Sequence, residues 1–163
     1  MPLVMDADTL NTFSAYRNYL PLIPKGTVLT PHVGELERLI GRCSNSYERL
    51  SKAKELAAEL QCYIVLKGAW TAVITPEGIC HFNPTGNPGM ATGGSGDVLT
   101  GIITALLAQG YSPEEACRLG TSVHGRAGDI AAQQKGEIAL TAGDIAEALP
   151  QAWKTLTQDS KER

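Results

Sequence analysis

Short apolar runs recur along the first half of the chain and have the length of β-strands. They lie at residues 3–6, 28–29 and 62–66, and the polar stretch between the first two predicts a break without a regular element. The run at 62–66 is apolar throughout, which is typical of a strand buried on both faces, as in a parallel sheet. Two further runs, 72–74 and 79–82, flank a Thr-Pro-Glu-Gly turn and predict a hairpin.

Helical spacing of apolar residues appears between the second and third strand runs. One helix is predicted over 35–40, ending at Gly41 as a C′ glycine. Asn45, with Glu48 three residues later, predicts a capping box that opens a second helix. We expect an inward-facing stripe on that helix, made of Tyr47, Leu50, Ala53, Leu56, Ala57 and Leu60.

The second half of the chain changes to helices. Residues 98–107 carry one apolar face, closed by Gly110. A Ser-Pro-Glu-Glu run at 112–115 combines an N-cap, a proline at the first helical position and an N3 glutamate, and so predicts a helix running towards Ala127. Residues 141–144 open the last helix in a similar way.

This alternation of apolar strands and helices predicts an α/β fold with a mostly parallel sheet flanked by helices. The length of 163 residues favours one domain, over 1–157, with a frayed tail at 158–163. Because a buried type of strand opens the chain with nothing upstream to cover it, we expect a partial domain that lacks its N-terminal portion.

Charge and cysteine content exclude several classes of protein. The formal net charge is −3, without a run of like charge, which argues against nucleic acid or an anionic membrane as partner. There is no apolar run of membrane-spanning length and no leader pattern, so a cytoplasmic location is predicted. The four cysteines have no metal-ligand or redox spacing, and free structural thiols are predicted.

A glycine-rich loop at 89–97 leads directly into the helix over 98–107. Glycines at 93, 94 and 96 allow backbone N–H groups to form a concavity, and the helix start adds free donors and positive partial charge. The loop is not a Walker loop, because Gly96 is followed by Asp97 rather than lysine, and Leu99 breaks the dinucleotide Gly-x-Gly-x-x-Gly pattern. An anion-binding loop of another kind is predicted.

Asp97 is unusual in such a loop, because a carboxylate repels phosphate. Two interpretations stay open. Asp97 is either a general base that accepts a hydroxyl proton during phosphoryl transfer, or a first-turn acidic residue that the helix dipole favours.

Four motifs carry a resemblance to a known family. They are Asp-Ala-Asp-Thr-Leu-Asn at 6–11, Thr-Pro-His-Val-Gly-Glu at 30–35, Val-Leu-Lys-Gly at 65–68, and the run from Asn-Pro-Gly-Met-Ala to Leu-Thr-Gly at 87–101. In this order they resemble the ADP/ATP-dependent NAD(P)H-hydrate dehydratases of the ribokinase-like superfamily. The resemblance extends over about 3–153.

The resemblance implies an enzyme that repairs hydrated NADH and NADPH. In this family the hydrate hydroxyl is phosphorylated by ADP or ATP with Mg²⁺, and phosphate is then eliminated. It also implies the N-terminal portion that this chain lacks, and some members carry a fused epimerase domain. We further expect a homo-oligomer.

Residue roles follow from the same motifs. Asp97 is implied as the catalytic residue and a substrate contact, and His32 as a contact to the hydrated nucleotide. No residue is assigned to a metal. Residues implied to bind the adenine nucleotide are Lys67, Gly68, Ala69, Trp70, Thr71, Gly93, Gly94, Ser95 and Gly96.

The residues alone leave alternatives open. Without the resemblance, His32 is interpreted as a surface loop histidine. Lys67 is either a phosphate contact or a strand-end lysine that merely reaches solvent. Asp6 and Asp8 fit either outer ligands of a hydrated metal or a local Asx-type turn. A small-molecule kinase would use the same loop and aspartate, and a non-catalytic nucleotide-binding or assembly module would keep the loop without turnover.

Overall fold

The structure, a computed structural model, describes residues 3–159. The elements in chain order are β1 (Val4–Met5), α1 (Ala7–Ala15), a 3₁₀ helix (Arg17–Leu22), β2 (Val28–Leu29), α2 (Val33–Ile40), α3 (Ser46–Leu60), β3 (Tyr63–Leu66), β4 (Ala72–Ile74), β5 (Cys80–Phe82), a 3₁₀ turn (Pro88–Met90), α4 (Ser95–Ala108), α5 (Pro113–Lys135) and α6 (Ala142–Asp159). The division at 157 stays a prediction: α6 continues to Asp159, and 160–163 lie outside the described residues.

The sheet has the strand order β1-β2-β3-β4-β5. β1, β2 and β3 are parallel, β4 runs antiparallel to β3, and β5 runs antiparallel to β4. Four of the five strands therefore point the same way, which confirms the α/β class with a mostly parallel sheet. The β4–β5 pair confirms the predicted hairpin.

Helices cover both faces of the sheet. α1, α2 and α3 pack on one face, against Leu29 and Ile64. α4 and the start of α5 pack on the other, against Val28 and Val65, and α6 packs on α5. Because neighbouring strand residues point to opposite faces, Ile64 and Val65 are both fully buried, as predicted for this strand.

The first helix was not predicted from the pattern. α1 occupies the stretch where a polar break was expected, and Leu10 is its one buried residue. Asp6 caps it, its carboxylate accepting a hydrogen bond from the Ala7 N–H. A helix with so narrow an apolar face depends on its cap and on packing rather than on a periodic sequence signal.

Two details of α3 also differ from expectation. Tyr47 is 84% exposed, although it was placed on the inward stripe. Leu56 lies nine positions after Tyr47, and at about 100° per residue the two side chains lie roughly 180° apart around the helix. The capping box is half formed: Asn45 accepts the Glu48 N–H, but Glu48 bonds Ser44 instead of the Asn45 N–H.

The second-half helices start and end beyond the predicted bounds. α4 begins at Ser95, so Gly96 and Asp97 lie within its first turn. α5 has the predicted capping box between Ser112 and Glu115 and continues to Lys135, well past Ala127.

The four cysteines are free thiols, as predicted. Burial raises the pKa of Cys62 to about 12, so this thiol stays protonated. No helix within 3–159 is long and apolar enough to cross a bilayer.

Candidate functional site

Three parallel strands end side by side beneath the start of α4. Asp6 follows β1, His32 follows β2, and Lys67 follows β3, where a single parallel bridge joins His32 and Lys67. The ideal Cβ position of Gly96 in α4 lies 3.2 Å from Lys67 Nζ. The structure therefore brings residues from all four sequence motifs to one place, outside the carboxyl ends of the strands, where α/β sheets bind ligands.

The glycine loop presents free donors at this place. Gly94 is the N-cap of α4 with φ +85°, a left-handed conformation that favours glycine. Within the described chain, the backbone N–H groups of Gly96 and Asp97 have no hydrogen-bond partner. Two unpaired donors at the positive end of a 14-residue helix are an arrangement that favours anions, and the assignment of the loop to a nucleotide phosphate stays a prediction.

Lys67 does not merely reach solvent. Its Nζ lies 2.8 Å from Asp6 Oδ1, and both side chains are largely buried. Asp6 also accepts a hydrogen bond from Thr100 Oγ1 at 3.0 Å, which links the pair to α4. Asp6 thus combines the local helix cap with an ion pair that fixes the ammonium group under Gly96.

Opposing effects act on the Asp6 carboxyl group. Burial raises its pKa, but hydrogen bonds from Lys67, Ala7 and Thr100, together with the charge of Lys67, outweigh burial and hold the pKa below its ordinary value. Asp6 is therefore an anion at neutral pH, and the ammonium group next to the loop is held by a partner rather than free to rotate.

Asp97 is exposed in the first turn of α4. Among the described residues its carboxylate has no hydrogen bond or ion pair. A carboxylate without a partner is available to accept a proton, and its first-turn position is also the one that the helix dipole favours. Both interpretations of Asp97 agree with this geometry.

His32 is the N-cap of α2 rather than a loop residue. Its Nδ1 accepts the N–H groups of Gly34 and Glu35 at 3.0 and 3.2 Å, and Glu35 returns a bond to the His32 N–H at 2.8 Å. Because Nδ1 is an acceptor, the proton of the neutral ring is on Nε2, 3.3 Å from Glu35 Oε1. The exposed ring edge is rigidly oriented, but its contact with a substrate stays a prediction.

The segment after Lys67 forms an open turn. The Thr71 hydroxyl donates to the Gly68 carbonyl at 3.2 Å, and Gly68, Ala69 and Trp70 are exposed, Trp70 by 66%. This surface is accessible to a planar ligand, and the assignment of the segment to the adenine nucleotide stays a prediction.

Two residues of α5 that support the loop were not predicted from the sequence. His124 Nε2 lies 3.3 Å from the hydroxyl of Ser95, the first residue of α4, and both side chains are buried. Five residues further along α5, Asp129 accepts hydrogen bonds from the Gly86 N–H and from the Asn87 side-chain amide, each at 3.0 Å. A polar residue on the apolar face of a long helix is the signal that would have found His124.

Comparison with known proteins identifies the family. A model of the NAD(P)H-hydrate dehydratases matches residues 1–151. The chain belongs to this family. The resemblance inferred from the four motifs is confirmed.

Two curated relatives of this dehydratase-family chain show how much of the family's length it spans. It is 46% identical over 160 residues to the bifunctional NAD(P)H-hydrate repair enzyme Nnr of Thermofilum pendens, covering 97% of this chain and 30% of that protein. It is 38% identical over 155 residues to the ADP-dependent (S)-NAD(P)H-hydrate dehydratase of Bacillus subtilis, covering 94% and 54%. The chain therefore spans at most about half the length of these relatives.

Solved structures confirm the fold. The Bacillus subtilis ADP/ATP-dependent NAD(P)H-hydrate dehydratase co-crystallised with ATP and Mg²⁺ superposes with a TM-score of 0.82 at 36% identity, covering 94% of this chain and 55% of that one. A ribokinase-like superfamily protein of Enterococcus faecalis gives a TM-score of 0.78 at 34% identity, covering 94% and 52%. The predicted ribokinase-like fold is thus confirmed over most of this dehydratase-family chain.

Proposed function

We propose that this chain supplies the nucleotide-binding and proton-accepting part of an ADP- or ATP-dependent dehydratase acting on hydrated NADH or NADPH. The observation that carries the proposal is the meeting of three groups at one end of the sheet. Free N–H groups at Gly96 and Asp97, the fixed ammonium of Lys67 and the unpartnered Asp97 carboxylate share the first turn of α4 or lie against it.

In this proposal the terminal phosphoryl group of the nucleotide is held by the α4 donors and Lys67. The developing negative charge on its oxygens is stabilised by donors that are already oriented, which is the main contribution of such sites. Gly93, Gly94, Ser95 and Gly96 form the loop, and the exposed turn from Lys67 to Thr71 contacts the rest of the nucleotide.

Asp97 accepts the proton of the hydrate hydroxyl while the hydroxyl oxygen attacks the terminal phosphorus of the nucleotide. The bond between this phosphorus and the oxygen that bridges it to the rest of the nucleotide breaks in the same step. The phosphorylated hydrate then loses phosphate and a ring proton, which forms the carbon–carbon double bond of the dihydronicotinamide. His32, oriented by its capping box at the neighbouring strand end, contacts the hydrated nucleotide.

Mg²⁺ is the counter-ion that nucleotide phosphates carry. Within 3–159 no group of three or more His, Cys, Asp or Glu side chains forms a metal site. We infer that the ion is held mainly by phosphate oxygens and water, which is its usual mode at nucleotide sites. A cytoplasmic location, a fused epimerase domain in a longer form of the protein and homo-oligomer formation are proposed with this function.

The test combines calorimetric titration of the chain with ADP and ATP, with and without Mg²⁺, and a near-ultraviolet assay of NADPH regenerated from its hydrate. We expect saturable nucleotide binding to the chain, and regeneration that requires ADP or ATP when the chain is joined to the N-terminal portion of the domain, with little or no regeneration by the chain alone. The released products should be inorganic phosphate and the shortened nucleotide. Absence of nucleotide binding would contradict the proposed site, whereas a stable phosphorylated product without NADPH would indicate a kinase.

A further inference from the structure

A buried histidine behind the glycine loop has no part in the chemistry proposed above. His124 is 9% exposed and Ser95 is 6% exposed, and His124 Nε2 and Ser95 Oγ are 3.3 Å apart. A buried imidazole without a hydrogen bond is costly, so this contact explains how the helix interior accepts the residue.

The position of Ser95 makes this contact relevant to the site. Ser95 is the first residue of α4, and its own N–H is bonded to the Thr92 carbonyl at 3.3 Å. The next two N–H groups, of Gly96 and Asp97, are the unpaired donors that the proposed function assigns to the nucleotide phosphate. Any rotation of the first turn about the flexible Gly94 therefore changes the direction of both donors.

The two helices are close enough for His124 to act as a fixed support. The ideal Cβ position of Gly120, one turn before His124 in α5, would lie 2.9 Å from Ile103 of α4. The glycine lets the helices approach this closely, so α5 is a rigid platform under α4. Burial also lowers the pKa of His124 to about 4, so the ring is neutral at physiological pH.

We propose that His124 is a positioning residue, which holds the first turn of α4 in its anion-binding conformation through its hydrogen bond with Ser95. The proposal rests on the proposed nucleotide-binding function of the loop. In this proposal His124 fixes the direction of the Gly96 and Asp97 N–H groups, although it touches neither substrate nor nucleotide.

Paired substitutions separate hydrogen bonding from packing. In His124→Gln the amide nitrogen takes nearly the place of Nε2, whereas in His124→Asn the shorter side chain does not reach Ser95. We expect ADP affinity within about threefold of wild type for His124→Gln and a loss of about 10–100-fold for His124→Asn, as for one lost buried hydrogen bond. Ser95→Ala should resemble His124→Asn, and the double variant Ser95→Ala/His124→Asn should be no weaker than either single variant.

A second measurement does not require nucleotide. Amide hydrogen exchange at Ser95 and Val98, whose N–H groups are bonded to the Thr92 and Gly94 carbonyls, should be about tenfold or more faster in His124→Asn than in His124→Gln, while exchange in the sheet strands stays equal. His81→Gln is the matched control, because it removes a histidine on β5 that pairs with Glu114, away from the loop. Its exchange and affinity should equal those of the wild type.

The outcomes separate the two proposals. Equal exchange and equal ADP affinity in His124→Gln and His124→Asn would overturn the positioning role, and so would losses in the two single variants that add in the double variant. If the wild type binds no nucleotide, the proposed function fails, and the exchange comparison alone then decides whether His124 holds the turn.

Discussion

At the scale of single residues, the two interpretations of Asp97 predict different phenotypes. If Asp97 is the base, Asp97→Asn in a protein that carries the whole domain should lower turnover by roughly 10²–10⁴-fold, while ADP affinity stays equal or improves because a negative charge beside phosphate is removed. If Asp97 is only a first-turn carboxylate that interacts favourably with the helix dipole, Asp97→Asn should lower the free energy of unfolding by about 0.3–1 kcal/mol and leave turnover unchanged. NADPH regeneration measures turnover, and calorimetric titration measures ADP affinity.

Asp8→Asn is the matched control for this prediction. Asp8 is also an exposed carboxylate in the first turn of a helix, α1. Equal turnover in Asp97→Asn, Asp8→Asn and the wild type would refute the assignment of Asp97 as base.

Gly96 tests how closely Lys67 must approach the loop. A Cβ at Gly96 would lie 3.2 Å from Lys67 Nζ and 3.8 Å from Asp6 Oδ2, so in Gly96→Ala the ammonium group must shift by a few tenths of an ångström. Because a charge-assisted hydrogen bond contributes about 1.5–3 kcal/mol and this shift weakens one without removing it, we expect ADP affinity to fall by up to about tenfold. Titration calorimetry measures the effect.

Gly101→Ala is the control within the same helix. A Cβ there meets nothing within 4 Å, so it should keep ADP affinity and raise stability by up to about 1 kcal/mol. Wild-type affinity in Gly96→Ala would show that the loop does not bind nucleotide beside Lys67.

At the scale of elements, the sequence was informative where a local signal decides the structure. The hairpin over β4 and β5, the parallel strand β3 and the capping box that opens α5 all follow from patterns of eleven residues or fewer. Tyr47 was misplaced because successive spacings of three drift around a helix of 3.6 residues per turn. α1 was missed because its stability comes from the Asp6 cap and from contacts with α2, which no local pattern encodes.

The site needed information that a single sequence does not carry. Asp6, His32 and Lys67 come together only because β1, β2 and β3 are neighbours in that order. Motif resemblance named His32 and Lys67, but not the ion pair between Lys67 and Asp6, which spans 61 positions. The hydrogen bond between His124 and Ser95 depends on how α5 is aligned against α4, and the packing of the two helices determines that alignment.

Gly125 of α5 gives a prediction at this scale, because the loop before the glycine motif lies directly on it. A Cβ at Gly125 would lie 2.7 Å from the carbonyl carbon and 2.8 Å from the carbonyl oxygen of Thr85. Since these are backbone atoms, Gly125→Ala must displace the loop, and we expect a loss of about 1–3 kcal/mol in stability despite the better helix propensity of alanine. Urea unfolding, with Gly101→Ala measured alongside, tests this; a gain in both variants would contradict the contact.

At the scale of the whole molecule, the sheet edges differ in how they are covered. Among the described residues, β1 at one edge pairs with β2 alone. At the other edge, β5 is linked to α5 by a hydrogen bond between His81 Nε2 and Glu114 Oε1 at 3.1 Å. An open edge of only two residues is a weak pairing template. Homo-oligomer formation therefore stays a prediction, for which sedimentation over a range of concentrations is the measurement.

The free energy of unfolding depends on pH, and we expect His124 to make the largest contribution to this dependence between pH 6.5 and 4. Its pKa in the folded protein is about 4, because burial and the nearby charge of Lys67 disfavour the charged ring, against about 6.5 when unfolded. In this window the unfolded state binds more protons, so the free energy of unfolding falls as the pH falls, by up to roughly 3 kcal/mol. The carboxylates whose pKa is lowered, such as Asp6, begin to lose their stabilisation below about pH 5, where their unfolded forms begin to protonate. Urea unfolding at several pH values should therefore show a decline from pH 6.5 in the wild type and a nearly flat profile down to about pH 5 in His124→Gln. Parallel profiles for the two proteins would show that His124 does not carry this proton linkage.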